Sequence, residues 1–172
     1  MIDTITQDNL HLSCRAKNKA EVLAMIGADF KSRGYVSEDC VAFLAERERQ
    51  VSTFLGNGIT LPHLPKSATS IIVKTGVEIY QFPDGVIWDR NNVMFIAIGV
   101  IAKESEHIDV LREVASIFSD EVIARALSLI ANKEDFLRIL QQNHSARLSP
   151  DSRPIKACLR AGFLLIQDGR SD

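Results

Sequence analysis

Val93-Met94-Phe95-Ile96-Ala97-Ile98-Gly99-Val100-Ile101 carries no polar side chain over nine positions. A strand with one wet face alternates apolar and polar residues, whereas a strand apolar on both alternations must be covered on both faces. The run is also far too short to cross a bilayer. It therefore predicts the central strand of a layered sheet.

The flanking sequence agrees with that reading. Downstream, residues 107–118 repeat Ile108, Leu111, Val114, Ala115 and Phe118 at helical intervals. Residues 120–131 and 133–140 predict two further helices, with Ser119 and Asn132 as their caps. Upstream, Asp89-Arg90-Asn91-Asn92 is a turn, and residues 86–88 predict a short strand that pairs back from a turn at Pro83-Asp84-Gly85. Residues 70–82 predict a strand, bent or split at Gly76. Residues 18–33 predict a helix, capped by Asn18 with Glu21 in capping-box spacing and stopped by Gly34. A second helix is expected from Ser37 to about Arg49, its charged end Glu46-Arg47-Glu48-Arg49 reading as a solvated face. Helices, then strands, then helices around one sheet give an α/β fold.

From Gln141 the periodicity dissolves, and Ser149-Pro150-Asp151-Ser152-Arg153-Pro154 reads as a linker. The expected division is a domain over residues 1–144 and a linker or tail over residues 145–172. Within the tail, residues 155–167 fit a docking helix, the start of another domain or a strand.

The 172 residues carry a net charge of −2, which speaks against a general nucleic-acid binder. Residues 145–172 hold five basic and three acidic side chains, so the remainder is mildly acidic. Three distant cysteines, Cys14, Cys40 and Cys158, suggest neither a disulfide framework nor a zinc ribbon. The N-terminus is polar and no apolar run reaches the length of a membrane span, so a cytoplasmic protein without direct membrane insertion is expected.

One loop invites chemistry. Gly56-Asn57-Gly58-Ile59-Thr60-Leu61-Pro62-His63-Leu64-Pro65 brackets one imidazole with glycines, a short apolar run and two prolines. Residues 59–61 suit a short buried strand, and Pro62, which has no N–H, should interrupt its pairing. His63 then sits at a strand end on a stiff loop. His107 lies at a strand-to-helix junction, and such junctions gather sites in α/β sheets. With Arg47, whose guanidinium suits phosphoryl oxygens, the two histidines suggest an anion site. Each has a plainer reading: His63 as a packed strand cap, His107 as a helix-start histidine, Arg47 as a surface charge. A zinc site from His63, His107 and Glu106 or Asp109 lacks metalloprotease spacing, and no P-loop motif is present.

Residues 1 to about 141 resemble the enzyme IIA domain of the fructose/mannitol class of the bacterial phosphoenolpyruvate-dependent sugar phosphotransferase system. The segments that carry the resemblance are Arg47-Glu48, Ser52-Thr53-Phe54-Leu55-Gly56-Asn57-Gly58-Ile59, Leu61-Pro62-His63, Lys74-Thr75-Gly76-Val77, Gln81-Phe82-Pro83-Asp84-Gly85-Val86, Ile98-Gly99 and Glu106-His107. It implies a mixed central β-sheet flanked by helices on both faces. It implies a phosphotransferase component with His63 as the phospho-accepting nucleophile, His107 as the second active-site histidine and Arg47 as the phosphoryl-stabilising group. The implied partners are HPr or an HPr-like domain as donor and a cysteine of enzyme IIB as acceptor, with no cofactor or metal. Fructose is the expected sugar and mannitol the next. A regulatory protein of the related nitrogen-type enzyme IIA class is the alternative. The family usually has glycine after the active histidine; this chain has Leu64, followed by Pro65.

Overall fold

The computed structural model describes residues 2–147, so the linker, Cys158 and residues 155–167 lie outside the described residues. Five strands form one mixed sheet in the order β1-β4-β5-β3-β2. The strands are β1 (Leu10–His11), β2 (Phe54–Gly56), β3 (Ile59–Thr60), β4 (Gly76–Asp89) and β5 (Asn92–Ile101). The helices are α1 (Lys19–Ser32), α2 (Val41–Gln50), α3 (His107–Phe118), α4 (Glu121–Leu129) and α5 (Lys133–Arg147).

The apolar run 93–101 is the middle of that sheet, paired antiparallel to β4 and parallel to β3. Its alternate residues serve two cores. Ile96, Ile98 and Val100 pack with Val114 and Phe118 of α3, Leu127 of α4 and Phe136 of α5. Ala97 and Ile101 pack with Ile26 and Phe30 of α1 and Leu44 of α2. The sheet is therefore covered on both faces, α1 and α2 on one and α3, α4 and α5 on the other, as the doubly apolar pattern requires.

Several local expectations are corrected. Asn18 does cap α1, accepting from the Glu21 N–H, and Gly34 follows it with a φ of 70°. Helix α2, however, starts at Val41 and not at Ser37: the Ser37 N–H and hydroxyl both turn to the Ile71 carbonyl, and Asp39 Oδ1 accepts from the Val41 N–H instead. Residues 70–75 are not strand: a 3-10 helix occupies Lys66–Ile71, and β4 begins only at Gly76. Pro83-Asp84-Gly85 does not turn the chain back. The register jumps from Gln81↔Ile96 to Val86↔Met94, so these residues bulge out of a strand that keeps its direction. The reversal lies at Arg90-Asn91, between the paired Asp89 and Asn92. Asp120, not Ser119, caps α4, accepting from the Val122 and Ile123 N–H groups. Asn132 caps α5 through the Asp135 N–H. Helix α5 continues to Arg147 past the apparent loss of pattern at Gln141, and His144 is buried on it, near Glu113.

Candidate functional site

Asn57 and Gly58 have φ of 53° and 74°, the two positive angles that a tight type I′ hairpin demands, and they return β2 into β3. The Gly58 carbonyl accepts from Phe95 and Ile96 N–H groups, which locks the start of β3 onto β5. Strand β3 stops at Thr60, just before Pro62 as expected, but the alignment resumes beyond it in a single bridge at His63. The same 37-residue offset separates Ile59 from Ile96, Thr60 from Ala97 and His63 from Val100. Pro62 lacks an N–H but keeps its carbonyl, which accepts from the Val100 N–H at 2.9 Å. His63 is thus held in register with the central strand.

Because β3 and β5 run parallel, the residues that follow each emerge at the same end of the sheet. His107, the first residue of α3, follows β5. Its ring centroid lies 5.7 Å from that of His63, with the planes tilted by 56°. From the other face, the last turn of α2 contributes Arg47. The three candidates named from sequence are brought together.

His63 is 2% exposed and both ring nitrogens are engaged. Nδ1 lies 2.7 Å from the Leu61 carbonyl oxygen, an acceptor only, so Nδ1 carries the proton. Nε2 accepts from Arg47 Nε–H at 3.1 Å, so it carries the lone pair. The two contacts agree on one tautomer. Burial, then the Arg47 charge, depress the His63 pKa to about 3, against a smaller opposing effect of the Leu61 hydrogen bond. His107 is also lowered, by burial first and then by the Lys66 and Arg47 charges.

Arg47 is itself buried, and its Nη1 donates to the Val51 carbonyl at 2.9 Å. Burial lowers its pKa and the neighbouring Glu48 charge opposes that shift. The charged end of α2 is therefore not a uniform solvated face: Arg47 and Glu48 are buried and Arg49 is exposed. A groove of about 250 Å³ opens beside His107, lined also by Leu64, Lys66, Thr69, Glu104 and Ile108. His63 lies behind His107 and does not line it. Among the described residues no group of three or more His, Cys, Asp and Glu side chains could hold a metal ion. Among them, too, no helix is long and apolar enough to cross a membrane.

Sequence reading missed Glu48, which accepts four hydrogen bonds at the back of the site. A signal was present: Glu48 lies four residues after buried Leu44, on the inward face of α2.

Residues 3–143 match the family described as phosphoenolpyruvate-dependent sugar phosphotransferase system, EIIA 2. The multiphosphoryl transfer protein of Salmonella typhimurium is 34% identical over 162 residues, 94% of this chain and 43% of that protein. The chain spans less than half the length of such relatives. The mannitol-specific phosphotransferase enzyme IIA component of Bacillus subtilis is 31% identical over 141 residues, 82% of this chain and 99% of that one. In the solution complex of enzyme IIAMTL and phosphorylated enzyme IIBMTL from Escherichia coli, one chain matches 81% of this chain and 98% of its own length. Its TM-score is 0.76 and its identity 27%.

Proposed function

The chain belongs to the EIIA 2 family of the phosphoenolpyruvate-dependent sugar phosphotransferase system and is a phosphotransferase component; from that premise we propose that it relays a phosphoryl group through Nε2 of His63. The donor in this reading is the phosphohistidine of HPr or an HPr-like domain, and the acceptor is a cysteine of enzyme IIB. The observation that carries it is the fixed tautomer: a buried Nε2 lone pair facing Arg47, opposite an Nδ1–H held by Leu61.

The Nε2 lone pair attacks phosphorus, and the donor's N–P bond breaks with its electron pair returning to the donor ring. The His63 ring then bears both Nδ1–H and the new N–P bond and is formally cationic. The Leu61 carbonyl, already 2.7 Å from Nδ1, stabilises that charge. The Arg47 N–H released from Nε2 turns to phosphoryl oxygens, and His107 borders the same oxygens from the groove side. Phosphoryl transfer needs such alignment and charge stabilisation more than proton abstraction. In the second step a thiolate of enzyme IIB forms an S–P bond, and the N–P electrons return to Nε2. The leaving group is neutral imidazole, so no proton moves at Nδ1.

Mannitol is the proposed sugar in place of fructose, because the relatives above that name a sugar name mannitol. We also propose that the relay is complete within residues 1–144 and acts in the cytoplasm. The test is incubation with enzyme I, HPr and phosphoenolpyruvate, followed by intact-mass measurement. One phosphoryl group, about 80 Da, is expected on the wild type and none on His63→Ala. Arg47→Ala should lower the labelling rate roughly 100-fold while keeping the fold, as loss of a preorganised charge stabiliser does. His107→Ala should also slow labelling. Equal labelling of His63→Ala would overturn the reading. Failure of the phosphorylated chain to donate to a mannitol-type enzyme IIB would favour the regulatory alternative.

A further inference from the structure

Glu48 is not among the hydrogen-bond partners of His63, yet it accepts four hydrogen bonds behind the site, and together they brace the backbone that orients the ring. It is 7% exposed. Its Oε1 accepts from Lys19 Nζ at 2.9 Å and from Trp88 Nε1 at 2.9 Å. Its Oε2 accepts from the Thr53 N–H at 2.9 Å and the Thr53 hydroxyl at 2.6 Å. Thr53, 3% exposed, passes the constraint on, since its carbonyl accepts from the Leu61 N–H at 2.9 Å. Leu61 in turn presents the carbonyl that holds His63 Nδ1. An unbroken chain of hydrogen bonds and peptide units therefore runs from α1 and β4, through Glu48 and Thr53, to the imidazole.

The same carboxylate is the neighbour of Arg47 in sequence, and its charge opposes the effect of burial on that guanidinium. Its direct ion partner is Lys19, 2.9 Å away.

We propose that Glu48 is a positioning residue for phosphoryl transfer: through Thr53 it fixes the Leu61 carbonyl that selects the His63 tautomer. The proposal rests on the reading of His63 as the acceptor. A carboxylate is needed because both oxygens accept from two donors each. Glutamine offers one acceptor oxygen and turns an NH₂ group toward the other pair of donors, leaving either Thr53 or the Lys19–Trp88 pair opposed.

The experiment compares Glu48→Gln and Thr53→Val with wild type in the full chain. Two quantities are read: the ¹⁵N shifts of the His63 ring nitrogens, and kcat and KM for phosphoryl transfer from phospho-HPr. Glu48→Gln should lose the uniform Nδ1–H tautomer and lower kcat roughly 10- to 100-fold with KM within about twofold, as a misplacement of the reacting group by up to about 1 Å does. Thr53→Val keeps the backbone bond to Glu48 and should shift both readouts in the same direction by less. If Glu48→Gln does not fold, Thr53→Val decides. Variants that lose stability but retain the wild-type tautomer and kcat overturn the proposal and make Glu48 a purely structural anchor. The tautomer readout needs no phosphoryl donor. A shifted tautomer in Glu48→Gln, together with full labelling of His63→Ala, would therefore sink the acceptor reading and not the positioning of the ring.

Discussion

Protonation decides whether His63 has a lone pair to offer, and its surroundings hold it neutral. Burial and the Arg47 charge both disfavour imidazolium, which places the pKa at about 3. An unperturbed histidine titrates near 6.5 and would be about half protonated there. The His63 Cε1–H resonance should therefore show no titration step between pH 5 and 8. A step near 6.5 would mean that the ring is not sealed as described. Leu64 needs no special allowance beside it. Among the described residues, only Ser13 and Asn57 outside glycine have positive φ, so position 64 does not require glycine's left-handed freedom. The Leu64 side chain is 3% exposed and joins the core on the α1–α2 side. The place where this chain leaves the usual family pattern is filled by packing.

Among the elements, β5 depends on one missing side chain. A Cβ built on Gly99 would lie 2.8 Å from Ile26 Cγ2 and 2.8 Å from Phe30 Cζ, so α1 sits directly on the strand at this point. Gly99→Ala should destabilise the fold by about 1–3 kcal/mol through overpacking, read as a lowered urea midpoint with an unchanged m-value. An unchanged midpoint would show that α1 yields freely. The sequence made β5 legible because its apolarity on both alternations has only one structural solution. It made α1 and α3 legible through capping and periodicity. It misplaced the start of α2 and the path of residues 70–89 for a shared reason. Ser37 and Pro83-Asp84-Gly85 are good local signals for a cap and a turn, but tertiary pairing with Ile71 and with β5 overrode them. Glu48 was harder still, since its only sign was a helical spacing of four from Leu44 inside a charged run that otherwise reads as solvated.

For the molecule as a whole, the buried imidazole sets an acid limit. Between pH 3 and 6.5 the unfolded chain protonates His63 while the folded chain does not, so unfolded molecules bind the extra proton and stability falls as pH falls. From pH 7 to 5 this one group should remove about 2 kcal/mol. Glu78 is fully buried, which would raise its pKa, but hydrogen bonds from His11, Tyr35 and Asn9 outweigh burial and hold it below the usual carboxylate range, so it adds a loss at still lower pH, where the unfolded carboxylate protonates before the folded one. Urea unfolding of wild type and His63→Ala at both pH values checks this: the variant should show the shallower dependence, and parallel slopes would contradict it.

The brevity of β1 and β2 has a colloidal consequence. The two edges of the sheet are strands of two and three residues. Beyond β1, the flank of β4 carries a bulge with Pro83 and Asp84 exposed. An incoming strand meets little unpaired backbone to copy, and where it does, a proline and a carboxylate stand in the way. In the proposed relay, which brings donor and acceptor to one end of the sheet, such edges guard the sides against pairing between copies of the chain.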